Sequence, residues 1–258
     1  MDKNNRIKSI INLLRVKKVV NIKELMKRLD VTEMTIRRDL NLLKNDAIVH
    51  LIPGGAILKA YTDSENYDEK YLITHEETRR TREKAKIGRK AASFIEPHDT
   101  IAIDVGSTTE YIAKFINEDI PVSILCYGLN ILVEIYRKKN CSPIFAGGYY
   151  HNDSMIFESK ENINLINRIR TDKAFISAAG VHESFGITTV NNYEIETKRA
   201  VLDSAMTKIL ITDSTKFGRT KMAYFAELKE FDTIITDSEI SGEHRAIIRD
   251  LGIKLVVV

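Results

Sequence analysis

The sequence predicts an α/β protein in two parts, a small helical N-terminal domain (residues 1–60) joined to a larger domain built on a mostly parallel sheet. Apolar residues recur at helical spacing in the first part, whereas β-branched runs alternate with helical segments further on. Such alternation is typical of parallel strands covered on both faces. Residues 1–60 carry 13 of the 39 basic and 6 of the 36 acidic side chains, a net charge of +7 against −4 for the remainder. Only the N-terminal domain is therefore expected to meet a polyanion.

A helix-turn-helix is predicted at about residues 22–41. Asn21 can cap its first helix and Thr32 its second, because both side chains accept hydrogen bonds from the free N–H groups of a first turn. Another helix is expected to precede the motif at Arg6–Arg15. Short β-prone segments on either side of Pro53–Gly55 predict a hairpin. Three helices and a hairpin together make a winged helix-turn-helix.

The second helix of this motif has one apolar face and one polar face. At about 100° per residue, Ile36, Leu40 and Leu43 share the face that packs. The opposite face carries Met34, Arg37, Arg38 and Asn41. Arginine forks on such a face bond guanine edges or phosphates in the major groove of double-stranded DNA. The alternative is an amphipathic helix with a solvated basic face, and the two caps, the short turn and the basic surroundings favour DNA binding.

The second domain is expected at residues 79–258, after a highly charged linker at residues 61–78. Its first helix is predicted at Arg79–Phe94. Seven β-rich runs follow, at 100–103, 122–126, 144–146, 174–177, 209–212, 233–236 and 255–258. Helical segments between them are predicted at 109–117, 129–138, 193–206 and 242–251. In such sheets, ligands bind outside the carboxyl ends of the strands.

The end of the first of these runs is a candidate anion site. Asp104 follows the strand, and Gly106–Thr109 supply a tight turn, hydroxyl groups and backbone N–H groups at the start of a helix. Such an arrangement suits a phosphate group. The spacing matches neither of the glycine-rich nucleotide loops, and an ordinary helix cap is the alternative.

Polar residues at other strand ends extend this candidate site. Asp213, like Asp104, can accept sugar hydroxyl groups, and Lys216 can face an anion. Glu194 and Lys198 stand four residues apart on a predicted helix that begins beside the cluster. They are either a solvated salt bridge or two further ligand contacts.

Several motifs together resemble the DeoR family of bacterial transcriptional regulators over nearly the whole chain. They are VTEMTIRRDL (31–40), GGA (54–56), IDVGSTT (103–109), AGG (146–148), DKAFISAAGVH (172–182) and TDSTKFGR (212–219). The resemblance implies a winged helix-turn-helix joined to a sensor domain similar to ribose-phosphate isomerase. It also implies a repressor that leaves its operator when a phosphorylated sugar binds.

The resemblance further implies the residues of two sites, each by position in the matching motifs. Operator contacts are implied at Thr32, Glu33, Met34, Thr35, Arg37 and Arg38. Effector contacts are implied at Asp104, Gly106, Ser107, Thr108, Thr109, Tyr127, Gly147, Gly180, Glu194, Lys198, Asp213 and Lys216. A homo-oligomer, a dimer or higher, is expected because one small DNA-binding domain covers only a half-site.

The chain departs from the family pattern at two places. Cys126-Tyr127 stand where many members have Thr-Asn, and Ser159 or a neighbour stands where a glycine is frequent. The run Cys126–Asn130, taken with AAGVH, favours a regulator of a deoxyribonucleoside operon. Deoxyribose 5-phosphate is then the expected effector.

Composition limits the remaining function classes. Cys126 and Cys141 are two scattered cysteines, which indicates a reduced, cytoplasmic protein. The polar N-terminus does not match a signal peptide, and no apolar run approaches the roughly 20 residues that span a membrane. The sequence lacks metal-ligand spacing and a nucleophile elbow, so no metal, cofactor or catalytic residue is expected.

Two other functions remain open from sequence. One is a sugar-phosphate isomerase-like enzyme with a DNA-binding appendage, in which Glu194 or Asp213 acts as the base. The other is a ligand-dependent activator, or a repressor that requires its ligand, because the sign of coupling is a property of two conformational states.

Overall fold

The computed structural model describes residues 3–17, 19–45, 48–52, 55–58, 73, 76 and 78–258. The chain divides into two units, residues 1–69 and residues 70–258, here called the N-terminal unit and the C-terminal unit. Most of the linker expected at residues 61–78 lies outside the described residues, as do Pro53 and Gly54 of the expected hairpin turn.

The N-terminal unit combines three helices with a small antiparallel sheet. Its elements are α1 (Lys3–Lys17), β1 (Val19–Asn21), α2 (Ile22–Leu29), α3 (Glu33–Asn45), β2 (Val49–Ile52) and β3 (Gly55–Leu58). The strands lie in the order β1-β3-β2. The predicted helices and the two hairpin strands are confirmed, and β1 is an addition. Its three residues are too few to show an alternating pattern, and it forms by pairing Val19 with Ile57.

One apolar core holds this unit together. The inward faces of the three helices and the sheet meet in it, through Ile10, Leu14, Leu25, Ile36, Leu40, Leu43, Val49 and Ala56. The predicted apolar face of α3 is thus confirmed, since Ile36, Leu40 and Leu43 are each at most 1% exposed.

The C-terminal unit is an α/β structure around a seven-stranded sheet. Its elements are α4 (Thr81–Ala92), β4 (Thr100–Ile103), α5 (Thr109–Phe115), β5 (Val122–Cys126), α6 (Leu129–Ile135), β6 (Cys141–Phe145), β7 (Tyr149–His151), β8 (Ile156–Glu158), α7 (Lys160–Asn167), β9 (Thr171–Ser177), β10 (Gly180–His182), β11 (Gly186–Thr189), α8 (Ile195–Ser204), β12 (Ala205–Ile211), β13 (Ala223–Ala226), β14 (Thr233–Thr236), α9 (Gly242–Asp250) and β15 (Lys254–Val257). All seven predicted strands belong to the large sheet. None of the described helices is long and apolar enough to cross a membrane.

The large sheet is parallel throughout, in the order β15-β14-β12-β9-β4-β5-β6. The chain runs outward from β4 through β5 to β6, then returns to the other side of β4 as β9. It continues outward through β12 and β14 to β15. The strand order therefore reverses between β4 and β9, and a crevice for ligands is expected outside the carboxyl ends at such a reversal.

Both faces of this sheet are covered, as the sequence predicts for a parallel sheet. Along β4, Ala102 faces one apolar layer while Ile101 and Ile103 face the other. On the second face, α4 and α5 approach closely at Gly88. A Cβ atom there would lie 2.3 Å from the Cβ atom of Tyr111, so only glycine fits.

Two small antiparallel sheets and α7 were not expected from sequence. β7 pairs with β8, and β10, β11 and β13 form a three-stranded sheet. Their strands are three or four residues long, which is too short for a readable periodicity. β10 begins three residues after β9 ends, so this sheet lies beside the carboxyl end of β9.

Candidate functional site

Each helix of the helix-turn-helix begins at the cap that the sequence predicts. The side chain of Asn21 accepts a hydrogen bond from the N–H group of Lys23 at 2.8 Å. The Thr32 hydroxyl accepts one from the N–H group of Thr35 at 3.4 Å. Between the helices, Asp30 adopts a left-handed backbone with φ of 51°, a conformation that aspartate tolerates better than most residues.

The exposed face of α3 presents one free guanidinium group. Arg37 is held along the helix by Glu33, with the Nη2–Oε1 distance at 2.7 Å. Arg38 is exposed, and within the part of the chain that the structure describes its guanidinium has no ion-pair or hydrogen-bond partner. Met34 projects beside it and is 80% exposed. The other predicted contacts, Thr32 and Thr35, are exposed and half-buried respectively.

A buried ion pair that the sequence analysis missed orients α3. The Nε atom of Arg6 lies 2.5 Å from Oδ2 of Asp39, and Nη2 lies 3.2 Å from Oδ1. Asp39 is fully buried on α3, and Arg6 belongs to α1. This bidentate pair fixes the rotation of α3 about its axis, and therefore the direction in which Arg38 points.

The C-terminal unit has a cavity at the carboxyl ends of β4, β9 and β12, where the strand order reverses. Its volume of about 40 Å³ is room for roughly three water molecules. Six of the predicted effector residues line it, namely Gly106, Ser107, Thr108, Glu194, Asp213 and Lys216. The other six, Asp104, Thr109, Tyr127, Gly147, Gly180 and Lys198, do not.

Asp104 is buried next to the cavity and does not line it. Its carboxylate is fully buried and accepts hydrogen bonds from the N–H and hydroxyl groups of Ser177, both at 2.7 Å. Lys198 Nζ lies 2.5 Å from Oδ2, and the hydroxyl of Tyr127 donates to Oδ1. Four protein donors therefore surround the Asp104 carboxylate.

Tyr127 and Lys198 are likewise supports of the cavity floor. Burial raises the pKa of Tyr127 well above its ordinary value, and the adjacent Asp104 carboxylate adds to this. The hydroxyl group therefore stays protonated and donates a hydrogen bond to Asp104. Lys198 is 1% exposed and forms an ion pair with Asp104. The two residues together neutralise and fix a carboxylate that would be unstable alone in the interior.

Glu194 does reach the cavity. It is 4% exposed, and its carboxyl accepts hydrogen bonds from the hydroxyl of Thr189 at 2.6 Å and the side-chain amide of Asn191 at 2.9 Å. Lys198 lies 3.9 Å away, so the predicted pair forms, but buried and not solvated. Burial raises the pKa of Glu194, against the lowering effects of these three neighbours.

The loop after β4 carries the predicted anion site. A Cβ atom on Gly106 would lie 2.9 Å from the hydroxyl oxygen of Ser177, so the close approach of the two strand ends requires glycine. The Thr109 hydroxyl turns inward to the carbonyl of Gly106. Ser107 and Thr108 therefore face the cavity while Thr109 closes the turn behind them.

Two charged residues that line this cavity, Lys84 and Glu76, are not predicted from the sequence. Lys84 on α4 is 1% exposed and donates to the Ser107 hydroxyl at 2.8 Å. Glu76, which was assigned to the linker, lies 2.8 Å from Nζ of Lys216. Burial lowers the pKa of Lys84, and the charge of Lys216 adds to this effect. The signal for Lys84 was its position: it lies three residues before Ile87 on the inward stripe of α4.

The remaining predicted residues fall in different places. Asp213 lines the cavity, but its Oδ1 atom already accepts a hydrogen bond from the N–H group of Thr215 at 3.0 Å. The buried hydroxyl of Thr212 has no hydrogen-bond partner among the described residues, and it lines the same cavity. Gly147 lines a separate groove beside β7 and α7. Gly180 is a packing position, where a Cβ atom would lie 2.6 Å from the Thr188 hydroxyl.

A helix-turn-helix with an exposed arginine, joined in one chain to an α/β unit with a polar cavity, defines a ligand-responsive transcriptional regulator. Residues 6–62 match the model of the DeoR-like helix-turn-helix domain, and residues 79–238 match that of the DeoR C terminal sensor domain. The chain is 32% identical over 216 residues to the deoxyribose operon repressor of Escherichia coli K12, which covers 84% of each protein. It is 29% identical over 219 residues to the HTH-type transcriptional regulator GolR of Listeria innocua, again with 84% of each covered. The chain belongs to the DeoR family of transcriptional regulators.

A solved structure with a similar fold is ribose 5-phosphate isomerase A from Neisseria gonorrhoeae, with a TM-score of 0.39 and 12% identity over 52% of each chain. This likeness concerns the fold alone. The curated relatives, by contrast, carry the names of regulators and repressors, so the chain is a DNA-binding regulator and not an enzyme.

Proposed function

We propose that this regulator is a repressor of a sugar catabolic operon and that a phosphorylated sugar, bound in the cavity of the C-terminal unit, releases it from its operator. The observation that carries the proposal is the meeting of two lysines, Lys84 and Lys216, with the loop Gly106–Thr108 at the reversal of strand order. Ammonium groups, hydroxyl groups and a glycine turn are the groups that bind phosphate in proteins.

The cavity offers two kinds of chemistry. The lysines and Ser107 suit the phosphate of the effector. Glu194, which is held by Thr189 and Asn191, and the unpartnered hydroxyl of Thr212 suit the sugar hydroxyl groups. An aldopentose phosphate carries one charged group and several hydroxyl groups, so it can use both kinds of partner. The similarity to a deoxyribose operon repressor makes deoxyribose 5-phosphate the preferred effector.

On the DNA side, the proposal assigns base-edge or phosphate contacts to the exposed face of α3. Arg38 is the principal candidate because its guanidinium has no partner among the residues that the structure describes, whereas Arg37 is paired with Glu33. Thr32 and Thr35 at the start of α3 suit contacts to the DNA backbone. A dimer or higher oligomer then places two such helices on two half-sites.

The mechanism is a linkage between two binding equilibria. An effector weakens operator binding only if it binds more tightly to the conformation or assembly whose helices are wrongly spaced for the operator. The same coupling free energy lowers the effector affinity when operator is bound.

Fluorescence anisotropy tests this function directly. The protein is titrated at fixed salt onto a labelled fragment from upstream of its own gene, with deoxyribose 5-phosphate, ribose 5-phosphate or unphosphorylated deoxyribose. We expect deoxyribose 5-phosphate to weaken DNA binding and deoxyribose to leave it unchanged. A phosphorylated sugar that strengthens binding would identify a co-repressed regulator, and no response to any sugar phosphate would refute the effector class.

A further inference from the structure

A glutamate already occupies the centre of the cationic cluster in the cavity. The carboxylate of Glu76 lies 2.8 Å from Lys216, 3.6 Å from Arg79 and 3.9 Å from Lys84. Its side chain is 19% exposed. Burial on its own raises the pKa of this carboxyl, yet Lys216, Lys84 and Arg79 together hold the pKa below its ordinary value. Glu76 is therefore an anion held among cations.

The cations that hold Glu76 are those that the proposed function assigns to the effector phosphate. Lys84 donates at once to the Ser107 hydroxyl of the loop and to the backbone carbonyl of Glu76. Lys216 has no other acidic partner within 4.0 Å among the described residues. A phosphate that contacts Lys84, Lys216 and Ser107 together needs the space where the Glu76 carboxylate now lies.

We propose that Glu76 is an intramolecular competitor for the effector: it fills the anion site of the empty protein, and the effector phosphate displaces it from Lys84 and Lys216. This inference rests on the proposed function, because it takes the cavity to be the phosphate site. The displaced carboxylate moves to solvent, and the phosphate replaces it as the counter-charge of the two lysines.

Displacement also loosens the anchor of the segment that precedes α4. Ile73, three residues earlier, is 1% exposed, lines the same cavity, and donates its N–H group to the carbonyl of Asp153 at 2.8 Å. Glu76 and Ile73 thus both line the one cavity. In the sequence these two residues stand between the DNA-binding unit and α4, so the competitor makes the contact of Ile73 depend on occupancy of the cavity.

Calorimetric titration of Glu76→Gln with deoxyribose 5-phosphate and with inorganic phosphate tests the competition. If the carboxylate fills the site about nine-tenths of the time, its removal raises both affinities on the order of tenfold. Glu118→Gln is the matched control, because it removes the same charge from a glutamate paired with Lys138 at 3.1 Å, and we expect it to change neither affinity. Unchanged affinity in Glu76→Gln would overturn the inference.

Lys216→Met separates this inference from the proposed function. Loss of binding in Lys216→Met, with unchanged affinity in Glu76→Gln, would overturn only the competitor. If wild-type protein and Lys216→Met bind deoxyribose 5-phosphate equally well, the phosphate site itself is wrongly placed.

Amide hydrogen exchange of the wild-type protein gives a readout that does not depend on any variant. We expect saturating deoxyribose 5-phosphate to reduce the protection of the Ile73 amide, because the neighbouring anchor has been displaced. In Glu76→Gln that amide should already be weakly protected without ligand. Equal or increased protection of Ile73 on binding would show that the segment stays in place, and this would overturn the inference.

Discussion

Replacement of Asp104 by asparagine should destabilise the C-terminal unit strongly. The carboxylate is fully buried and has four protein donors, including Lys198 at 2.5 Å. An asparagine keeps the shape but removes the charge, and its NH₂ group has to face a donor such as Tyr127 or Ser177. The ammonium of Lys198, itself 1% exposed, then loses its principal counter-charge and keeps only Glu194 at 3.9 Å.

The size of the effect follows from this geometry. Removal of one partner from a buried ion pair costs about 3–5 kcal/mol. For a unit of this size, each kcal/mol lowers the melting temperature by about 2–4 °C, so we expect a fall of roughly 6–20 °C. Differential scanning calorimetry, or urea denaturation followed by circular dichroism, measures it.

Asp203→Asn is the matched control for this experiment. Asp203 is 60% exposed and pairs with Arg199 across one helical turn at 2.8 Å, so its loss should cost less than about 0.5 kcal/mol. The double variant Asp104→Asn/Lys198→Met should lose less stability than the two single changes together, because it removes both charges. A loss below 1 kcal/mol in Asp104→Asn, or strict additivity in the double variant, would refute the role assigned to this carboxylate.

Two further predictions concern the recognition helix and the cavity. Arg38→Ala should weaken operator binding by about 1–3 kcal/mol per half-site and leave the affinity for deoxyribose 5-phosphate unchanged, which anisotropy and calorimetry would show; unaltered DNA affinity would contradict the role of that face. Burial raises the folded-state pKa of Glu194 above its ordinary value of 4.5. At pH values between 4.5 and this raised pKa, the native protein binds the proton more fully than the unfolded chain does, so the stability contributed by Glu194 falls as pH rises through this range. Between pH 4 and 8, the melting temperature of the wild-type protein should therefore fall relative to that of Glu194→Gln as pH rises. Parallel curves would contradict the assignment.

Periodic features were predictable from the sequence because they repeat. The faces of α3 and all seven strands of the large sheet could be predicted, since each depends on an apolar pattern within one segment. Sequence caps such as Asn21 and Thr32 were predictable for a similar reason, because a cap depends on a side chain and an N–H group two or three residues away.

Contacts between distant segments were not predictable in this way. The Arg6–Asp39 pair joins residues 33 positions apart, and Lys84 meets Ser107 over 23 positions. Each of these charged residues resembles an ordinary solvated side chain when it is considered alone. Glu76 is assigned to the linker for the same reason, because its nearest cationic partner, Lys216, lies 140 residues later.

Strand order explains which of the predicted strand-end residues reach the cavity. The sequence indicates that the carboxyl ends of parallel strands lie at one edge, but not which strands are neighbours. β9, β4 and β12 surround the reversal point, and the loops that follow β4 and β12 carry Ser107 and Lys216 into the cavity. β6 is one of the two edge strands of the large sheet, two positions from β4 and therefore about 10 Å away. Gly147 follows β6, so it lines a different groove even though its local sequence looked equally suited to a ligand. The local sequence thus identifies candidate residues, and their distance from the reversal point determines which of them line the cavity.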